Sequence, residues 1–93
     1  LIDADAQGNA TDTMKRHRCD VTAAELFRPG RAPASGGADG ITLAASDSSL
    51  TDVDRGDAAG ILQFRDNLRS VSDAFDVCVI DTPPSLGLRS VAA

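Results

Sequence analysis

The sequence predicts an α/β fold in which parallel strands are joined by helical crossovers. Three observations carry this. Apolar runs at residues 1–3 and 77–81 each stop on an aspartate and pass into a Gly- or Pro-containing turn. A third apolar run, at residues 41–45, follows Gly40. Between the second and third strands, in chain order, Ile61, Phe64, Leu68, Val71 and Phe75 recur at helical spacing. The order strand, helix, strand, helix, strand gives a parallel sheet with right-handed connections.

Taken in order, residues 1–3 read as the end of a strand and residues 4–13 as a loop. Residues 14–20 are polar and basic. Thr22 and Glu25 have capping-box spacing and predict a short helix from Ala23 to about Arg28, stopped by Pro29 and Gly30. Residues 31–40 are rich in Pro, Gly, Ala and Ser and read as a surface loop. Residues 41–45 read as a short buried strand. Ser49 and Asp52 mark a second helix start that Gly56 would end. The apolar stripe then predicts an amphipathic helix over about residues 57–73, with Gly60 costing it roughly 1 kcal/mol relative to Ala. Residues 77–81 form an uninterrupted apolar strand of the kind buried on both faces, which would make Cys78 a small buried hydrophobe.

The 93 residues suit at most one small domain, able to bury about 60–65% of its unfolded surface. Hydrophobic residues make up 42%, but with three Phe and no Trp or Tyr the core must be built from Ala, Val, Ile and Leu. A net charge of −5 argues against this segment alone gripping nucleic acid or an anionic membrane. No apolar run approaches the length of a membrane span. Cys19 and Cys78 lack metal or redox spacing, and His17 with Cys19 is a lone pair of ligand types. Without a disulfide signature, a reducing cytoplasm is the default location. Lys15, Arg16, His17 and Arg18 lie beside Asp12 and Asp20 and read as a solvated face rather than a DNA contact.

The candidate site lies at the strand ends. Buried parallel strands deliver carboxylates to the carboxyl edge of a sheet, where open α/β proteins bind ligands. Asp3 or Asp5 at one strand end and Asp81 at another suit Mg²⁺, a hard ion held through carboxylates, waters and phosphates. Asp3 and Asp5 repel unless a cation lies near them. The bland alternatives are a turn in which Asp5 caps Gly8, and a turn aspartate at position 81 before Pro83 and Pro84.

At these residues the chain resembles a known family. Residues 3–11 (Asp-Ala-Asp-Ala-Gln-Gly-Asn-Ala-Thr) and 80–87 (Ile-Asp-Thr-Pro-Pro-Ser-Leu-Gly) look like the switch I and Walker B/switch II segments of ParA-type partition ATPases. These are deviant-Walker P-loop ATPases, a group that also contains MinD. The Gln-Gly-Asn-Ala-Thr run points to the ParA branch. Ala6 departs from the family, which usually has proline there.

The resemblance implies a partial P-loop fold and assigns roles. Asp5 would face the attacking water and Mg²⁺, Asp3 would support the metal's waters, and Asp81 would hold and orient a metal-bound water. Gln7, Gly8, Asn9 and Thr11 would form the loop that senses the γ-phosphate of ATP. The implied parent is a cytoplasmic ATPase that dimerises around Mg-ATP, binds DNA non-specifically and answers to a ParB-like stimulator. It would segregate plasmid or chromosomal DNA or position protein cargo. No Gly-x-x-x-x-Gly-Lys pattern occurs in the 93 residues, which leads us to read them as a fragment of one ParA-like ATPase domain. That fragment would lack the phosphate-binding loop and the C-terminal part, and would be inactive alone. The rival expectation is a non-catalytic interaction module, or a MinD-like positioning protein without a DNA role.

Overall fold

The computed structural model describes residues 1–33, 40–53, 56 and 58–83. It is a small α/β unit. β1 (Ile2–Asp3) pairs in parallel with β2 (Ile80–Asp81), setting Ile2 beside Ile80 and Asp3 beside Asp81. The ladder is closed by the Ile2 amide donating to the Val79 carbonyl and the Ala4 amide donating to the Asp81 carbonyl, both at 2.8 Å.

Residues 42–45 lie along the other side of β1. The Asp3 amide donates to the Ala44 carbonyl at 3.0 Å and the Ala44 amide to the Leu1 carbonyl at 2.9 Å. Their far side is also paired, since Leu43 donates to the His17 carbonyl and Cys19 to the Leu43 carbonyl. All pairings are parallel, Ile2 with Ala44 and Arg18 with Leu43 included. The strand expected at residues 41–45 is reduced to isolated bridges at Leu43 and Ala44; Thr42 to Ala45 are buried as expected, whereas Ile41 is exposed. The pairing of residues 17–19 was not anticipated. It buries His17, while Lys15, Arg16 and Arg18 stay exposed as a solvated basic face would.

The helices follow the sequence with corrections. Residues 4–13 are not all loop: α1 (Asn9–Met14) begins where Gly8 adopts φ 72°, a left-handed turn that glycine enters without a Cβ penalty. The Ala23–Arg28 helix is a single 3₁₀ turn at Ala24–Phe27, in which Thr22 Oγ1 accepts from the Glu25 amide at 3.3 Å. That is one arm of the expected capping box. Just before α2 (Leu50–Val53), the Asp47 carboxylate accepts from the Ser49 amide at 2.8 Å and shapes the turn into the helix. The amphipathic helix is α3 (Ala58–Ser70), followed by a 3₁₀ turn at Ser72–Ala74. Its expected start at residue 57 lies outside the described residues, as do most of the Pro/Gly loop and residues 84–93.

The core gathers Ile2, Val21, Leu26, Phe27, Ala44, Leu50 and Phe64, with Ile80 and Leu68 packed against it. Cys19, expected in a polar loop, is half-buried against this cluster. One strand expectation fails. β2 covers only Ile80 and Asp81, and Val77 and Val79 are 75% and 55% exposed. Cys78 is exposed as well, so it is not a buried hydrophobe. Among the described residues β1 is the only strand paired with β2, which leaves β2 at the edge of the sheet.

A polar residue holds α3 in place. Asn67, buried beside the apolar arc, donates from Nδ2 to the carbonyls of Leu26 at 2.8 Å and Arg28 at 2.7 Å. Asn67→Ala would strip the partner from both, at about 1–3 kcal/mol for each buried group left unsatisfied. We expect a loss of about 2–4 kcal/mol, read as a lower urea midpoint with an unchanged slope. A midpoint equal to the parent's would show that the Asn67 clamp contributes nothing.

Candidate functional site

The parallel register makes the site. Because Asp3 and Asp81 are cross-strand partners on neighbouring strands, their side chains leave the same face of the sheet at its carboxyl edge. Asp3 is fully buried and compensated by hydrogen bonds. One carboxylate oxygen accepts from the Asp5 amide at 3.2 Å. The other accepts from the Thr11 amide at 2.8 Å and the Thr11 hydroxyl at 2.7 Å. A buried carboxylate requires such partners. Asp3 thereby ties the strand end to the first turns of α1.

Asp5 is half-buried and shapes the loop by two routes. Its Oδ1 accepts from the Gln7 amide at 3.0 Å, and its carbonyl accepts from the Gly8 amide at 3.0 Å. The bland reading, a turn capped by Asp5, is thus realised at Gln7 with its side chain and at Gly8 with its backbone. Gln7 and Asn9 are exposed on this loop, and Gly8 and Thr11 are half-buried. Asp3, Asp5, Gln7, Gly8, Asn9, Thr11 and Asp81 accordingly gather at one edge. The Walker B/switch II continuation over residues 84–87 lies outside the described residues.

Ser46 belongs to this site and was missed from sequence. Its hydroxyl donates to the Asp5 carbonyl at 2.8 Å, and its amide donates to Thr11 Oγ1 at 2.8 Å. The available signal was its position immediately after the buried 42–45 strand. That is the same strand-end position that marked Asp3 and Asp81.

Burial and the two neighbouring carboxylates act on Asp81. Partial burial raises the Asp81 carboxyl above its ordinary value, and the negative charges of Asp3 and then Asp5 raise it further. A raised value means that the folded chain binds this proton more tightly than the unfolded chain does. Asp81 then costs stability as pH climbs from 3.8 through the raised value, and ceases to do so below 3.8. Asp81→Asn is expected to remove this fall from the pH profile of the urea midpoint. An unchanged profile would assign the fall to another group.

The chain is similar to two curated proteins of Escherichia coli. Each is named Protein IncC. One is 36% identical over 99 residues and the other 35% identical over 106 residues, each alignment taking in 100% of this chain. The chain spans only 28% and 29% of the lengths of these relatives. No protein-family model matches the chain, and no solved structure matches it.

Proposed function

We propose that this chain is the part of a ParA-type plasmid-partition ATPase that carries switch I and the Walker B strand. The observation that carries the reading is the register pairing of Asp3 with Asp81, with the Asp5–Thr11 loop folded against the same edge. The whole-chain similarity to two IncC proteins supports a ParA-type relationship.

The residues fit Mg-ATP in a specific sense. Among the described residues no cluster of three or more His, Cys, Asp or Glu side chains could hold a metal ion by itself. Mg²⁺ does not need one, because it keeps several waters and takes one or two carboxylates together with substrate phosphates. Asp81 is more accessible than Asp3, and beyond the effect of burial the charges of Asp3 and Asp5 raise its proton affinity, a repulsion that a cation would relieve. When bound, Mg²⁺ would neutralise charge on the phosphate oxygens and orient them. Asp81 would hold and orient a metal-bound water, and buried Asp3 would act on the metal's waters and through its charge. Asp5 would face the attacking water, positioning it more than deprotonating it. Gln7, Gly8 and Asn9 would line the γ-phosphate, with exposed side chains at Gln7 and Asn9, and Thr11 would brace the same loop through its bonds to Asp3.

In this reading the parent dimerises around ATP, is stimulated by a ParB-like protein and works in the cytoplasm. It binds DNA non-specifically through regions mostly outside this chain, whose own charge is −5. No helix among the described residues is long and apolar enough to cross a membrane. The test is nucleotide binding and Mg²⁺-dependent phosphate release by the full-length gene product, with and without DNA. Saturable ATP binding with Mg²⁺-dependent turnover is expected. Absence of any saturable binding would favour the non-catalytic interaction module.

A further inference from the structure

Ser46, through its hydroxyl and its backbone amide, and the Thr11 hydroxyl tie the Asp5–Thr11 loop and the Asp3 carboxylate to the end of residues 42–45. The Ser46 hydroxyl donates to the carbonyl of Asp5 at 2.8 Å. The Ser46 amide donates at 2.8 Å to Thr11 Oγ1, which in turn donates at 2.7 Å to Asp3 Oδ2. Gly8 packs against the same serine, since a Cβ placed there would stand 3.9 Å from Ser46 Cβ. The loop from Asp5 to Thr11 is thus held at its start by Ser46 directly, and at its end by Ser46 through Thr11. The strand beneath is itself fixed by buried Leu43, Ala44 and Ala45, which belong to no loop.

This arrangement also occupies Thr11. Its hydroxyl hydrogen is committed to Asp3 and one lone pair to Ser46, which leaves no donor for a phosphate oxygen, so its part at this site is to hold groups. We propose that Ser46 and Thr11 are positioning residues. They latch the Asp5–Thr11 loop to the end of the 42–45 strand and so set where the Asp3 and Asp5 carboxylates stand. The proposal rests on the ATPase reading for its effect on turnover, but the latch itself can be read without it. Displacing a reacting or orienting group by about 1 Å can cost on the order of a hundredfold in rate while binding contacts elsewhere persist.

The test uses Ser46→Ala, Thr11→Val and Thr11→Ser in the full-length gene product, with two readouts. Amide hydrogen exchange reads the latch. Ser46→Ala is expected to speed exchange at Gln7 and Gly8, where its hydroxyl holds the Asp5 carbonyl, and Thr11→Val to do so at Thr11 and Ser46. Thr11→Ser, which keeps both hydrogen bonds, should match the parent. ATP turnover reads the positioning. Ser46→Ala and Thr11→Val should lower kcat by at least about tenfold with KM within about threefold, and Thr11→Ser should restore kcat. Unchanged exchange in Ser46→Ala overturns the latch, even where Thr11→Val fails to fold. Faster exchange with unchanged kcat overturns the positioning role. A parent that hydrolyses no ATP defeats the ATPase reading and with it the effect on turnover, while exchange still decides the latch.

Discussion

Asp5→Ala in the full-length gene product is expected to lower ATP turnover by at least about a hundredfold while nucleotide affinity stays within about threefold of the parent. In the proposed mechanism Asp5 meets the attacking water, so its loss falls on the transition state. The side chain also accepts the Gln7 amide at 3.0 Å, so part of the loss would come through a loosened loop. Asp5→Asn separates the two, because its amide oxygen can still accept from Gln7 while the charge is gone. If charge at the water is what matters, Asn should be nearly as impaired as Ala. If loop shape dominates, Asn should recover most of the rate. Asp81→Ala should behave differently, weakening the Mg²⁺ dependence of binding and turnover together, because a metal-orienting carboxylate acts in ground and transition states alike. Turnover of Asp5→Ala at the parent's rate would mean that switch I is misassigned and that the mechanism fails.

The strand-end aspartates were legible because their signal is local. An apolar run ending on a carboxylate before a turn needs no knowledge of the rest of the chain, and the register then set Asp3 beside Asp81. The α3 helix was legible for a similar reason, its apolar period surviving as buried Phe64 and half-buried Leu68. What escaped depended on contacts remote in sequence. Asn67 lies just outside the apolar arc and reads as a solvent-facing residue until the carbonyls of Leu26 and Arg28 are brought to it. The α1 helix has no apolar stripe, and its order comes partly from Asp3 accepting the Thr11 amide. Residues 77–79 failed in the opposite direction. An apolar run shows what a strand could bury but not which neighbours cover it, and Val77 and Val79 are largely exposed. Ser46 sits in a Ser-Asp-Ser-Ser run that reads as bland loop, and its position after residues 42–45 gains meaning through its bonds to Thr11 and Asp5, 35 and 41 residues away.

Phe64→Ala should be among the most destabilising single changes in this chain, by about 3–5 kcal/mol. Phe64 is 1% exposed and stacks on Phe27, with ring centroids 4.6 Å apart and planes inclined by 28°. Its ring joins α3 to the Ala24–Phe27 turn, in a core whose other side chains, Phe27 apart, are all aliphatic. Truncation therefore forfeits the transfer of the ring from water, leaves a cavity and removes an aromatic pair worth about 0.5–1.5 kcal/mol beyond its area. A small domain holds only about 5–15 kcal/mol in total, so the variant should unfold at a much lower urea concentration. Gly60→Ala tests the same contact with the opposite sign. A Cβ at Gly60 would lie 3.9 Å from Phe27 Cβ and Cδ1, an ordinary contact distance, and the change removes the entropic cost of a helical glycine. It should stabilise by about 0.5–1 kcal/mol. A loss below about 1 kcal/mol for Phe64→Ala, or a destabilising Gly60→Ala, would show that α3 does not pack on the 24–27 turn through Phe27 and Phe64.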